Sequence, residues 1–466
     1  MLNPNRYFDS NPQVREIANE LYKSVKDLPI ISPHGHVDPK IFSENAAFPS
    51  PTDLFIIPDH YIFRMLYSQG HSLESLGIST NDGSPVENDH KKIWQIFGDN
   101  FFLYAGTPTG AWLNHELSEV FGITEILNGE NALEIYDHIS IKLQTDEFLP
   151  RTLFDKFKIE VLSTTDGASE NLEDHKKIME SDWSGKIIPS FRPDAVVNIR
   201  SDSWKSEINR LSSACGIDVV DYGSFIKAIE NRRSYFVEMG AVATDQGVLS
   251  PYTHSLSDSE AEAIFQRALN GTATQEDEKA FVGNMLMEMA RMSSEDGLVM
   301  QIHPGVFRSH NATLFQKFGL DKGGDIPVRT EFTNNLHELL NKYGNHKNFK
   351  LIVFTLDETS YSRELAPLAG HYPAMKLGPA WWFNDSIQGM RRFREMTTET
   401  SGFYNTVGFN DDTRAFLSIP ARHDLARRVD CNFLAQQVSE HIIDIDNAHK
   451  LSYELANGLV KKGYNL

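Results

Sequence analysis

Leu28-Pro-Ile-Ile-Ser-Pro-His-Gly-His36 is the stretch on which the reading of this chain turns. A short β-rich run, Leu28–Ser32, leads into two histidines separated by one glycine. Residues two apart at an extended strand end point to the same side, so both imidazoles can face one mouth of a sheet. Similar runs recur at Ile159–Ser163, Lys186–Phe191, Tyr235–Ala243, Leu298–Ile302, Lys350–Leu356, Ala374–Gly378 and Tyr404–Phe409. Polar residues follow them: Asp166, Arg192, Thr244 with Asp245, His303, Asp357, the pair Trp381–Trp382, and Asp412 with Arg414. Aspartate is common in the turns that end strands. Two histidines, two arginines and a tryptophan pair are less well explained that way.

Eight such runs with polar C-terminal ends predict a (β/α)8 barrel, an α/β TIM-like fold. Helical segments lie between them. Thr330–Tyr343 carries Phe332, Leu336, Leu339 and Leu340 along one stripe. Ser257–Glu260 has the form of a capping box, and Thr274–Asp277 resembles another helix start. Phe281, Met285, Leu286 and Met289 then recur at helical spacing and read as core packing. Two gaps, Pro33 to Lys158 and Thr244 to Gly297, are too long for plain loops. The expectation is one barrel domain over 1–466, with helical insertions at about 40–155 and 246–296 and C-terminal helices at about 424–466. Trp94, Phe101, Phe102, Tyr104 and Trp112 predict a small core within the first insertion, with some of them free to wall a pocket.

Composition narrows the function. Of 466 residues, 40% are apolar and 23% charged, which allows a sizeable core and excludes wholesale disorder. A net charge of −20 argues against a nucleic-acid surface. It leaves a small anionic substrate open, because screening over ~8 Å lets a local arginine pocket act independently. Two cysteines, Cys215 and Cys431, cannot build a disulfide framework and read as buried thiols in a reducing compartment. The first residues are polar, and the best apolar run, Phe349–Leu356, contains Lys350 and falls far short of the ~18–20 residues of a membrane span. A cytoplasmic protein without membrane or nucleic-acid partners is expected.

His34 and His36 suit a metal that needs closely spaced nitrogen ligands; a surface or hydrogen-bonded pair is the alternative. Asp412 is the natural third ligand or base, and the same spacing lets Arg414 share its face; a turn salt bridge is the plainer reading. Arg192 can grip a planar carboxylate or pair with Asp194. His303 reads as ligand, acid/base group or core histidine. Trp381 and Trp382 read as packing or as the wall of a sugar site. Arg391, Arg392 and Arg394 read as a solvated helix face.

Six ordered motifs carry a resemblance: Ile31-Ser-Pro-His-Gly-His36, Asp59-His-Tyr-Ile-Phe-Arg64, Pro189-Ser-Phe-Arg-Pro-Asp194, His303-Pro-Gly-Val-Phe-Arg308, Trp381-Trp-Phe-Asn-Asp385 and Asp412-Thr-Arg-Ala-Phe-Leu417. With them the chain resembles the uronate isomerases, an outlying family of the amidohydrolase superfamily. The resemblance implies a distorted (β/α)8 barrel and aldose–ketose isomerisation of D-glucuronate to D-fructuronate and D-galacturonate to D-tagaturonate. It implies that His34, His36 and Asp412 hold one divalent metal, with zinc expected. Arg192 would bind the uronate carboxylate, with His36 and a tryptophan of the Trp381–Trp382 pair also at the substrate. Tyr61 and Arg414 would sit at the reacting carbons, and His303 would contact the sugar and help ring opening. Asp412 and Tyr61 are both candidates for the carbon base. Binuclear relatives carry a bridging lysine after strand four; here Ala243-Thr-Asp245 has none, which favours one metal. A homo-oligomer is expected. A single-metal hydrolase of a lactone or amide is the alternative, and a sugar-acid binding protein the third.

Overall fold

The structure, a computed structural model, describes residues 2–466. Seven strands form one parallel sheet in sequential order. They are β1 (Ile30–Ser32), β2 (Ile159–Gly167), β3 (Ile187–Arg192), β4 (Ala243–Val248), β5 (Val299–Pro304), β6 (Leu351–Val353) and β7 (Met375–Leu377). β1, β5 and β6 are buried along their whole length. That is what a parallel sheet covered on both faces requires. Helices fill the connections, and the sheet curls into a distorted barrel.

The eighth run does not form a strand. Phe403–Asn405 is a 3-10 turn, and Thr406 makes one isolated bridge to Leu377. Gly402 and Gly408 both take positive φ, so the segment between them turns instead of extending. Closure is by single backbone bonds: Val407 N–H donates to Leu377 C=O at 3.1 Å, and His36 N–H donates to Thr413 C=O at 2.9 Å. The second of these joins the end of β1 to the Asp412 loop.

The fourth run is also displaced. Tyr235 lies in the helix Tyr222–Glu238, a turn at Gly240 follows, and the strand begins at Ala243. Its polar letters, Thr244, Asp245 and Gln246, are buried strand residues rather than a loop. Thr330–Tyr343 is helical only over His337–Tyr343, because the Glu364 carboxylate accepts the Phe332 and Thr333 amides and holds that end in a turn. The stripe Phe332, Leu336, Leu339 and Leu340 is nevertheless fully buried.

Both long gaps hold helices. The first includes α1 (His60–Ser68) together with His90–Asp99 and Ala132–Leu143; the second holds Asp258–Leu269 and Gln275–Asp296. Capping boxes at Ser257 and Thr274 open those last two. Met285, Leu286 and Met289 join the main core. Trp94, Phe101 and Tyr104 pack with the first insertion, Phe102 is exposed, and Trp112 belongs to the main core. The terminal helical region starts earlier than position 424, with α2 (Ser418–Ser439). Cys431 is buried and Cys215 half-buried. Arg394 is not on a solvated face: it is buried one turn after Met390, and its Nε donates to Asp430 at 2.7 Å. Among the described residues, no helix is long and apolar enough to cross a membrane.

Candidate active site

The C-terminal ends of the strands converge on a cavity of about 540 Å³. β1 delivers His34 and His36 to it, and the loop after the eighth run delivers Asp412. His36 Nε2 lies 3.1 Å from Asp412 Oδ1, and His34 Nε2 lies 3.4 Å from the same oxygen. Asp412 has φ +40°, a left-handed backbone that costs a non-glycine residue energy and aims the carboxylate inward. The Trp381 indole N–H donates to the other carboxylate oxygen, Oδ2.

A second group overlaps the first. His303, at the end of β5, directs Nδ1 at Asp245 Oδ1 of β4, 2.6 Å away. That contact sets the Nδ1 proton on His303 and leaves Nε2 as an acceptor. The His303 ring stacks on Phe354 (centroids 4.0 Å) and on His34 (4.6 Å). Two ligand sets therefore share His34: His34, His36 and Asp412, and His34, Asp245 and His303, with ligand atoms in each set within 4.8 Å of one another. Donors about 2.0–2.1 Å from one tetrahedral ion stand roughly 3.3 Å apart, which matches the spacings around Asp412. His34 Nδ1 and His303 Nε2 are buried without a hydrogen-bond partner among the described residues. Two imidazole Nε2 atoms about one carboxylate oxygen at these spacings fit a divalent cation.

The charges are ordered by neighbours. Burial opposes an ionised Asp412, but His34 and His36 outweigh it and hold the carboxyl well below its usual range. Burial likewise opposes an ionised Asp245, and Arg192 and His303 overcome it. His34 is pushed down by burial and raised on balance by Asp412 and Asp245. For His36 and His303 burial wins and both are lowered, favouring neutral rings.

Arg192, at the end of β3, is held on two sides. Its Nε donates to Asp194 at 2.8 Å, and Nη1 stands 3.2 Å from Asp245 Oδ2. Gly247 lets the β4 backbone approach: a Cβ there would stand 2.5 Å from Arg192 Nη2. Tyr61 sits in the first turn of α1, whose N-cap Asp59 accepts the Tyr61 amide at 2.8 Å. Burial raises the Tyr61 phenol despite Arg422 nearby, so it stays neutral. Arg414 also lines the cavity, where its Nη2 donates to Asp321 at 2.8 Å. Trp382 lines the cavity at φ +52°, with the Arg308 guanidinium 5.4 Å from its ring centre.

A model of the glucuronate isomerase family matches residues 8–460. The chain belongs to the glucuronate isomerase family. It is 53% identical to the uronate isomerase of Nostoc punctiforme over all of this chain and 98% of that one. It is also 53% identical to the uronate isomerase of Brucella canis over the full length of both. Among solved structures, glucuronate isomerase from Caulobacter crescentus superposes with a TM-score of 0.98 at 52% identity, covering 100% of this chain and 97% of that one. Uronate isomerase from Thermotoga maritima superposes at 0.93 with 28% identity, covering 100% and 99%.

Within this glucuronate isomerase family member, one cavity gathers His34, His36, Tyr61, Arg192, His303, Trp381, Trp382, Asp412 and Arg414. Asp166 and Asp357 do not line it. Asp245 does, and the sequence marks it only as an aspartate at a strand's polar end. Its importance comes from burial between Arg192 and His303, which local sequence does not encode.

Proposed function

We propose that this cavity interconverts D-glucuronate with D-fructuronate, and D-galacturonate with D-tagaturonate, by moving a proton between C2 and C1 of the open-chain sugar. The carrying observation is that a two-histidine, one-aspartate cluster and an arginine at a strand end share one cavity. Isomerisation requires a base beside the reacting carbons, positive charge for the enediolate oxygens and a grip on the remote carboxylate.

His34, His36 and Asp412 would hold one divalent ion, zinc by its preference for nitrogen-rich donor sets, and it would supply Lewis-acid stabilisation of negative oxygen. Arg192, pre-oriented by Asp194 and Asp245, takes the C6 carboxylate. Ionised Asp412 accepts the C2 proton and returns it to C1. Tyr61, kept neutral by burial, passes a proton between the C1 and C2 oxygens. Arg414 lends positive charge to the enediolate, and His303 accepts the C1 hydroxyl proton through Nε2 and gives it to the ring oxygen as the C1–O5 bond breaks. Trp381 and Trp382 wall off water and stack against the sugar.

Incubation with D-glucuronate and D-galacturonate, with product identified as ketose, is the direct test. Ketose should form, and turnover should fall with a chelator and return with zinc. Hydrolysis of a lactone without any ketose would overturn the reading in favour of a hydrolase.

A further inference from the structure

A second cavity, of about 430 Å³, lies away from the sugar site and shares no lining residue with it. On a chain of net charge −20 its walls are basic: Arg6, Lys26, Lys156, Lys158, Arg427 and Arg428. Three carboxylates face them, and two are already engaged. Asp424 accepts from Arg6 Nη2 at 2.5 Å, from Arg428 Nε at 2.9 Å and from the Tyr22 hydroxyl. Asp27 is exposed and shared by Lys26 and Lys158. Glu119 is exposed at the rim.

Arg427 is the anomaly. It is only 7% exposed, yet no carboxylate is in salt-bridge reach of it among the described residues. Nη1 donates to the Lys26 carbonyl and Nη2 to the Pro29 carbonyl, each at 3.0 Å, while buried Nε has no partner among the described residues. Carbonyls satisfy hydrogen bonds without neutralising charge, and buried charges are normally paired. Burial outweighs its distant acidic neighbours, so the protein destabilises this cation as it stands. A planar guanidinium is matched to oxyanions.

We propose that this cavity is an anion site that takes a phosphate-sized oxyanion, free or borne on a small metabolite, with Arg427 as its buried charge and Lys156 and Lys158 at its mouth. Its walls adjoin the segments that lead to the metal-ligand cluster without touching the cluster itself. Arg427 grips the two carbonyls that precede β1, and His34 and His36 follow that strand. His423 lines the cavity and stands 3.0 Å from Asp411, the neighbour of Asp412.

Thermal unfolding of the full chain in rising inorganic phosphate, and separately in glucose 6-phosphate, at constant ionic strength, tests this. Both probes should raise Tm saturably. Arg192→Met, which disables the sugar site, should leave the phosphate Kd unchanged. Lys156→Glu/Lys158→Glu, at two exposed positions, should weaken it at least tenfold. Tighter binding of glucose 6-phosphate assigns an ester as the occupant, and equal affinity assigns the free ion. No saturable rise with either probe, loss of the rise in Arg192→Met, or an unchanged Kd in the double variant would each overturn the proposal.

Discussion

Arg192 carries two carboxylates before any substrate arrives. Asp194 and Asp245 fix the plane of its guanidinium, leaving Nη2 without a protein partner among the described residues. A charge-assisted contact of this kind contributes about 1.5–3 kcal/mol. Arg192→Met is therefore expected to raise KM for glucuronate by roughly tenfold to a hundredfold. Metal content should not change, because Arg192 is not among the ligand candidates. Arg192→Lys should recover part of the loss, since it keeps the charge but not the fork. Steady-state kinetics with metal analysis checks both, and an unaltered KM in the methionine variant would remove the clamp.

At the scale of elements, α2 ties the site together from behind. Arg422, 1% exposed, donates through Nη1 to Asp385 at 2.5 Å and to the Asp411 carbonyl at 3.3 Å. Its guanidinium lies 3.5 Å from the Trp112 ring centre and 5.4 Å from that of Tyr61. One side chain thus braces both the Asp412 loop and the tyrosine. Arg422→Met should cost about 3–5 kcal/mol, because it strands a buried carboxylate. Adding Asp385→Leu should restore most of the stability without restoring kcat. Denaturant unfolding beside turnover separates these effects, and recovery of both together would reduce Arg422 to a structural ion pair.

β2 offers a pH test independent of catalysis. Burial pushes Asp166 up to about 7, against the Thr164 hydroxyl that donates to it at 2.6 Å. The fold thus prefers the protonated form. Its contribution is complete below the unfolded value of 3.8 and is lost as pH rises through the folded value of about 7. Asp166→Asn removes that loss. Its advantage in unfolding free energy, read by denaturant titration, should grow between pH 4 and 7 and level off above, at no more than about 4 kcal/mol. Equal advantages at pH 5 and pH 8 would refute the shift.

At the scale of the whole molecule, a charge of −20 must receive an anionic sugar. The Debye length falls from about 30 Å at 0.01 M salt to about 8 Å at 0.15 M. Long-range repulsion should therefore fade with salt while the contacts of Arg192 inside the cavity persist. The expected result is a rise in kcat/KM of about two- to fivefold over that range. A fall would mean that the local basic field dominates encounter.

Much was legible in local sequence. Six of the strand runs, the helix starts at Ser257 and Thr274, and the His34–His36 pair depend on periodicity and capping chemistry within a few residues. Thr244-Asp245-Gln246 reads as a loop because its letters are polar, and only burial between β3 and β5 makes it a strand. Tyr404–Phe409 reads as a strand because Gly402 and Gly408 give no local sign that both will turn.

What the amino-acid order determined alone was the set of elements and the groups offered at their ends. The tertiary structure decided which groups meet: Asp245 with His303 across 58 positions, Arg394 with Asp430, and Arg427 with no acid among the described residues. The reason is physical. Backbone preference acts over one turn or one strand, whereas a charge is paired or stranded by whatever the closed barrel brings within a few ångströms of it.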